Sequence, residues 1–375
     1  MHRIEFGELR IGSIARSHLL DVCDTNWASM GPKVKAFEKQ WTDLFKYKSS
    51  VAVSSGTDAC INACLSLYDL TDASRGDEII VPALSFIATS NAVRMAGFTP
   101  VFVDVKKETL NIDEDKIEER ITGDTKAIMV VHTMGKPCSM LRIKEIADRH
   151  NLIIIEDSCE AHGASHQNTL IGHFGEMACF SYYIAHLVCC GEGGMISTNC
   201  EDVANILRST RSHGRPFDSI YFDHQRTGIN SKMNDLEASI GLEGIQSFWE
   251  TFDTRRETIK RFRNACDGYE DVAWFSEEDA GDVNCPHGFS ITTKSEGAIH
   301  KIKECLDNHN IHWKRNFGSI PTQHAAFSDA GYSLGDFPNS EWIGGNGIHI
   351  GCHQYLTEKE IQIVEKSLRE ALHSI

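Results

Sequence analysis

Leu152-Ile153-Ile154-Ile155-Glu156-Asp157-Ser158-Cys159-Glu160 (LIIIEDSCE, residues 152–160) is an apolar run that ends abruptly in carboxylates. A strand without polar alternation is buried on both faces, which is the mark of a parallel sheet covered by helices on either side. The same texture recurs at Val51 to Val53, Glu78 to Pro82 (EIIVP), Val101 to Val105 (VFVDV), Ala127 to Val131 (AIMVV), Ala178 to Ser181 (ACFS) and Gly194 to Thr198 (GMIST). Between most of these runs lie stretches of helical periodicity, at Asp58 to Leu70, Ser90 to Met95 and Leu141 to His150. Buried strands alternating with helices predict an α/β domain. From about Ser247 the pattern changes to a long charged amphipathic segment (Trp249 to Tyr269), a strand (Phe289 to Thr293), a helix (Ala298 to Asn308) and a closing helix (Thr357 to His373). This predicts a large domain over 1–246 and a smaller C-terminal α+β domain over 247–375.

A chain of 375 residues suits about two domains and can bury roughly three quarters of its unfolded surface. Lys+Arg is 37 against Asp+Glu 53, a formal charge of −16, which disfavours nucleic acid and anionic membranes as partners. The thirteen cysteines are odd in number and scattered through apolar runs, so free thiols in a reducing, cytoplasmic setting are expected. No C-x-x-C pair, C-x-C-x-x-C run or H-E-x-x-H occurs, so neither a metal site nor an iron–sulfur cluster is expected. No run approaches the roughly 18 apolar residues of a membrane span. The G-x-S-x-G of a serine hydrolase is missing, as is a G-x-G-x-x-G after the first strand.

Three segments could carry chemistry. Ser54-Ser55-Gly56-Thr57-Asp58 follows the first strand and opens a helix, where backbone N–H groups and the helix dipole favour an anion such as phosphate. Taken alone, such a segment is more often an ordinary N-cap. Asp157 stands at the carboxyl end of a buried strand, where open α/β sheets bind ligands. An ionised carboxylate there needs a cationic partner, and a protonated pyridine nitrogen would be one. Cys179 to His186 (CFSYYIAH) then runs into Gly191-Glu192-Gly193-Gly194, a cluster that permits tight turns beside the other two.

These segments together resemble the sugar aminotransferase family named after DegT, DnrJ, EryC1 and StrS, a group of fold-type I pyridoxal-phosphate (PLP) enzymes. The likeness spans Gly31 to Glu38, Ser55 to Ala59, Val81 to Ala92, Val103 to Val105, Glu156 to Ala164, Gly191 to Ile196 and Asn230 to Gly241. The resemblance implies an aspartate aminotransferase-like fold, with a seven-stranded mostly parallel sheet in the large domain. It implies PLP or pyridoxamine phosphate (PMP) as cofactor, a nucleotide-sugar substrate, glutamate as amino donor, and a homodimer with shared active sites. Gly56, Thr57 and Ser181 would hold the cofactor phosphate, with Asn230 reaching in from the second subunit. Phe86 would stack on the ring, Asp157 pair with its nitrogen and Glu160 lie near its hydroxyl. His213, Arg215 and His353 are expected on the sugar side.

One departure from the family is informative. Where the family places a lysine, five residues after the phosphate-binding serine, this chain has His186. Imidazole cannot hold PLP covalently. Histidine here resembles a sub-branch, the sugar 3-dehydratases of the GDP-4-keto-6-deoxymannose type, which serve deoxysugar synthesis for lipopolysaccharide O-antigen. The expected activity is therefore removal of the 3-hydroxyl of a nucleotide-linked 4-keto-6-deoxysugar with release of ammonia. His186 would be the base, with an ordinary pKa near 6.5. The rivals are a nucleotide-sugar aminotransferase and, third, a non-catalytic PLP or nucleotide-sugar binding protein.

Overall fold

Residues 3–216 and 223–375 are described by the structure, a computed structural model. Helices α1 (Ser13–Thr25) and α2 (Pro32–Phe45) precede β1 (Ser49–Val53), α3 (Gly56–Leu70), β2 (Glu78–Pro82), α4 (Ala88–Ala96), β3 (Thr99–Val103), β4 (Thr125–Val131), α5 (Met140–His150) and β5 (Ile153–Asp157). A hairpin of β6 (Ser165–His166) and β7 (Thr169–Leu170) leads to β8 (Met177–Ser181), β9 (Gly194–Thr198), α6 (Glu201–Thr210), α7 (Asp235–Gln246) and α8 (Phe248–Ala265). The chain closes with β10 (Ala273–Phe275), β11 (Gly288–Thr293), α9 (Ile299–Asn308), β12 (Trp313–Arg315), the single turn α10 (Ile320–Gln323), α11 (Pro338–Asn346), β13 (Gly347–Gly351) and α12 (Glu358–His373).

Seven strands form one sheet in the order β1-β9-β8-β5-β4-β2-β3. Only β9 runs against its neighbours, so the fold is the α/β, mostly parallel sheet expected from the apolar runs. Alternation along the strands feeds two cores. Ile80, Ile128, Val130 and Ile154 pack on one face with Phe37 and Trp41 of α2, Ile143 of α5 and Phe248 of α8. Ile79, Val81, Met129 and Ile155 pack on the other with α3, Val93 of α4 and Leu207 of α6. Both faces are dry, which is why these strands carry no polar stripe.

A second, antiparallel sheet of order β10-β11-β13-β12 packs with Phe262 of α8, Ile302 of α9 and Leu368 of α12 in a third core. The packing crosses residue 247 in both directions. Ile4 bridges to Ile311 and joins the third core, whereas Ile320, Phe327 and Phe337 pack in the second core of the large sheet. None of the thirteen cysteines is paired. Among the described residues no helix is long and apolar enough to cross a membrane.

The parallel strands β5 and β8 end together, beside the turn from β1 into α3. That shared edge places Ser54–Thr57, Asp157 and Ser181 next to one another.

Candidate active site

A cavity of about 550 Å³ opens on this edge, lined by Gly56, Thr57, Phe86, Asp157, Glu160, Ser181 and His186 among others. Its size is typical of a small-ligand site. At one end is the start of α3. Ser55 caps the helix by accepting from Asp58 N–H, and Asp58 Oδ2 accepts from the Ser54 and Ser55 hydroxyls. The N–H groups of Gly56 and Thr57 precede the first intrahelical bond, from Ala59 N–H to Ser55 O at 3.0 Å, as at any helix start. Gly56 is required by proximity, since a Cβ there would lie 2.6 Å from Ser181 Cβ. The result is a cradle of N–H and hydroxyl groups suited to phosphate.

At the other end Glu156 and Asp157, adjacent on β5, point to opposite sheet faces. Glu156 is fully buried and saturated, accepting from Gly172, Phe174 and Gly175 N–H at 2.7 to 2.9 Å, with His132 Nε2 at 3.3 Å. Asp157 is buried, and its carboxylate accepts from Thr89 Oγ1 at 2.7 Å and Cys159 N–H at 3.3 Å. Among the described residues no lysine, arginine or histidine pairs with it. A buried carboxylate facing a cavity without a cation calls for one from a ligand. Phe86, 62% exposed, offers its ring to the same space. Phosphate cradle, uncompensated carboxylate and open aromatic face together fit PLP.

His186 sits on the loop between β8 and β9. Tyr182 is buried edge-on to Phe37 and Trp41 at 4.9 and 5.1 Å, so the following Tyr183 turns to the cavity. The buried Arg255 of α8 fixes the loop, donating to Ala185 O at 2.9 Å, His186 O at 3.1 Å and Gln354 Oε1 at 2.9 Å. The imidazole of His186 is 9% exposed and its Nδ1 has no hydrogen-bond partner. Burial, then His162, Arg255 and Lys314, push its pKa well below the ordinary value. The expected pKa near 6.5 is thereby corrected: like-charged neighbours and lost hydration keep this imidazole neutral at pH 7. Burial pushes the Glu160 carboxyl in the opposite direction, up to about 7.

The small sheet closes the cavity with residues that sequence reasoning missed: Lys314 and Arg315 of β12, Phe317, His287 before β11, and His349 of β13. Lys314 Nζ lies 4.3 Å from the Phe6 ring centroid and 5.8 Å from that of Tyr183. The one available signal was the Lys-Arg pair in IHWKRNF, too short a run to read as a strand. The other expected residues lie outside the cavity lining. Asn230 is exposed and accepts from Lys232 Nζ. His213 is exposed, Arg215 donates to Ser212 Oγ at 3.0 Å, and His353 is buried with its ring 6.2 Å from that of Tyr355.

Fold and cavity together define a cofactor-dependent enzyme of the aminotransferase type. The profile of the DegT/DnrJ/EryC1/StrS aminotransferase family matches residues 10–369, and the chain belongs to that family. The chain is 37% identical to GDP-perosamine synthase of Caulobacter vibrioides, over 99% of this chain and 98% of that protein. It is 30% identical to dTDP-4-dehydro-2,6-dideoxy-D-glucose 3-dehydratase of Saccharopolyspora spinosa, over 91% of this chain and 80% of that protein. A solved histidine-to-asparagine mutant of GDP-4-keto-6-deoxymannose-3-dehydratase with bound GDP-perosamine superposes with a TM-score of 0.88 at 26% identity, over 97% of this chain and 100% of the other. The cofactor expected for the site, PLP or PMP, agrees with this membership.

Proposed function

We propose that the protein is a PLP/PMP-dependent 3-dehydratase that acts on a nucleotide-linked 4-keto-6-deoxysugar, with glutamate as amino donor. The observation that carries this reading is His186: the cavity position that a lysine occupies in the resembled aminotransferases holds a buried imidazole. When bound, the cofactor supplies an electron sink that acidifies the carbon next to its ring. Gly56, Thr57 and Ser181 would hold its phosphate, Asp157 would keep its ring nitrogen protonated, and Phe86 would cover one ring face. His186 would take the proton from the carbon so activated and return one to the departing 3-hydroxyl, which would leave as water. Being neutral at pH 7, His186 is ready as the base. It cannot recapture the cofactor as an amine would, so elimination is favoured over transamination. Lys314 and Arg315 supply positive charge for the glutamate carboxylates and the nucleotide phosphates.

The enzyme acts as a homodimer in which exposed Asn230 of one subunit completes the cavity of the other. A second reading, amination of the same ketone, has the stronger support among the relatives, at 37% identity to the GDP-perosamine synthase of Caulobacter vibrioides against 30% to the 3-dehydratase of Saccharopolyspora spinosa. The two are separated by incubating the protein with PLP, glutamate and a GDP- or dTDP-linked 4-keto-6-deoxysugar. Dehydration gives a sugar lighter by one oxygen, with one ammonia and one 2-oxoglutarate per turnover. A product that retains its 3-hydroxyl and gains nitrogen overturns the dehydratase reading in favour of the second.

A further inference from the structure

Four buried imidazoles gather where the His186 loop meets the small sheet. The His186 ring lies 5.6 Å from that of His162 and 5.0 Å from that of His287, the latter tilted by 33°. His349 is linked through Phe6, whose ring is 6.0 Å from His287 and 5.1 Å from His349. His349 is already engaged, its Nδ1 lying 2.9 Å from Asn316 Oδ1. By contrast, the Nδ1 atoms of both His186 and His287 are buried without a partner. Nε2 of His287 lies 3.4 Å from Glu160 Oε1, and Glu160 Oε2 accepts the Met134 N–H at 2.6 Å. Glu160 is thus the carboxyl in contact with the histidine cluster, whereas Asp157 is engaged by Thr89 and Cys159.

We infer that His287 passes a proton between the Glu160 carboxyl and the His186 imidazole, making Glu160 the proton store of the site and His287 the positioning residue that connects them. The inference rests on His186 being the base and deepens that reading. An imidazolium at 186 faces Arg255 from α8, Lys314 from β12, and His162 from the loop after β5. His349 of β13 and Arg255 also face His287. No carboxylate of the described residues is paired with His186, so charge there is poorly tolerated. Glu160 binds a proton readily near neutral pH because burial holds its carboxyl at about 7. For each proton that His186 accepts, one leaves through His287 to Glu160 Oε1. The N–H bond of His186 breaks as one forms on the His287 ring, the His287 Nε2–H bond breaks as an O–H bond forms on Glu160 Oε1, and no electrons are exchanged. In reverse the relay delivers the proton that converts the departing hydroxyl to water.

The test begins without cofactor. Difference infrared spectra between pH 5 and 9 locate the Glu160 carboxyl band as the one lost in E160Q. The expected result is that H287F and H287N move its midpoint by about half a pH unit or more, and that E160Q changes the ring ¹⁵N shifts of His186. In the loaded enzyme kcat falls about tenfold to a hundredfold in H287F and H287A. KM for the nucleotide sugar stays within about twofold, and free imidazole restores part of the H287A rate. An unchanged carboxyl midpoint and pH–rate profile in folded H287F or H287N overturns the relay. Should the His287 variants not fold, unmoved His186 shifts and an unaltered profile in E160Q overturn it equally. An aminated wild-type product would end the dehydratase reading while leaving the apoprotein coupling intact, so the two failures are distinguishable.

Discussion

Glu156 and Asp157 are adjacent carboxylates with opposite fates. Period-two alternation sends Glu156 into a ring of backbone donors and Asp157 to the cavity. Removing Glu156 leaves one buried and two half-buried N–H groups and His132 Nε2 without their acceptor, so E156A should lower stability by about 3 kcal/mol, read from urea unfolding. D157N should fold with little change in stability and lose most cofactor affinity, measured by fluorescence titration with PLP; tight binding by D157N would remove its assigned role. The substitution H186K restores an amine at the resembled position. Borohydride reduction followed by peptide mapping should label residue 186 in that variant and leave the corresponding wild-type peptide unmodified. That Asp157 ends its strand at the cavity was legible from its place in the sequence, but the saturation of its neighbour was not, because the donors come from residues 172–175.

At the scale of elements, the strand–helix alternation was legible because buried strands and amphipathic helices have distinct periods. The sequence boundaries Leu141 to His150 and Trp249 to Tyr269 compare with Met140–His150 and Phe248–Ala265 in the structure. Strands β12 and β13, with sequences WKR and GIHIG, fall below any strand signal, since glycine, histidine and lysine are poor local markers. Only pairing in the small sheet makes them strands, and with them Lys314 and His349 escaped notice. Arg255 ties α8 to the His186 loop through two carbonyls without a carboxylate partner among the described residues. Replacing it with leucine removes both donations and frees the loop. The expected outcome is about 2 to 4 kcal/mol less stability and faster amide exchange at residues 183–188 by mass spectrometry.

For the whole molecule the buried histidines set the response to pH. Burial pushes His162 and His349 down to about 3, and His186 and His287 well below the ordinary value. Each is neutral when folded and protonated below about pH 6.5 when unfolded, so its contribution to stability is present above that pH and lost as the pH falls. Glu160 acts oppositely: its carboxyl, raised to about 7 by burial, favours the folded state below about pH 4.5 and loses that contribution as pH rises through 7. Four imidazoles outweigh one carboxyl. Stability should therefore drop steeply between pH 7 and 5.5, at roughly 1.4 kcal/mol per pH unit for each net proton, and urea midpoints at the two pH values will show it. A flat profile would mean that these rings are hydrated. From sequence alone came the α/β class, the family, and a candidate site of Gly56, Thr57, Asp157, Ser181 and His186, which the structure gathers around one cavity, because those residues sit at strand ends and helix starts whose local patterns are strong. Tertiary structure alone decided that Lys314, His287 and His349 join them and that His186 is neutral, because burial and contacts between residues over a hundred positions apart leave no local trace.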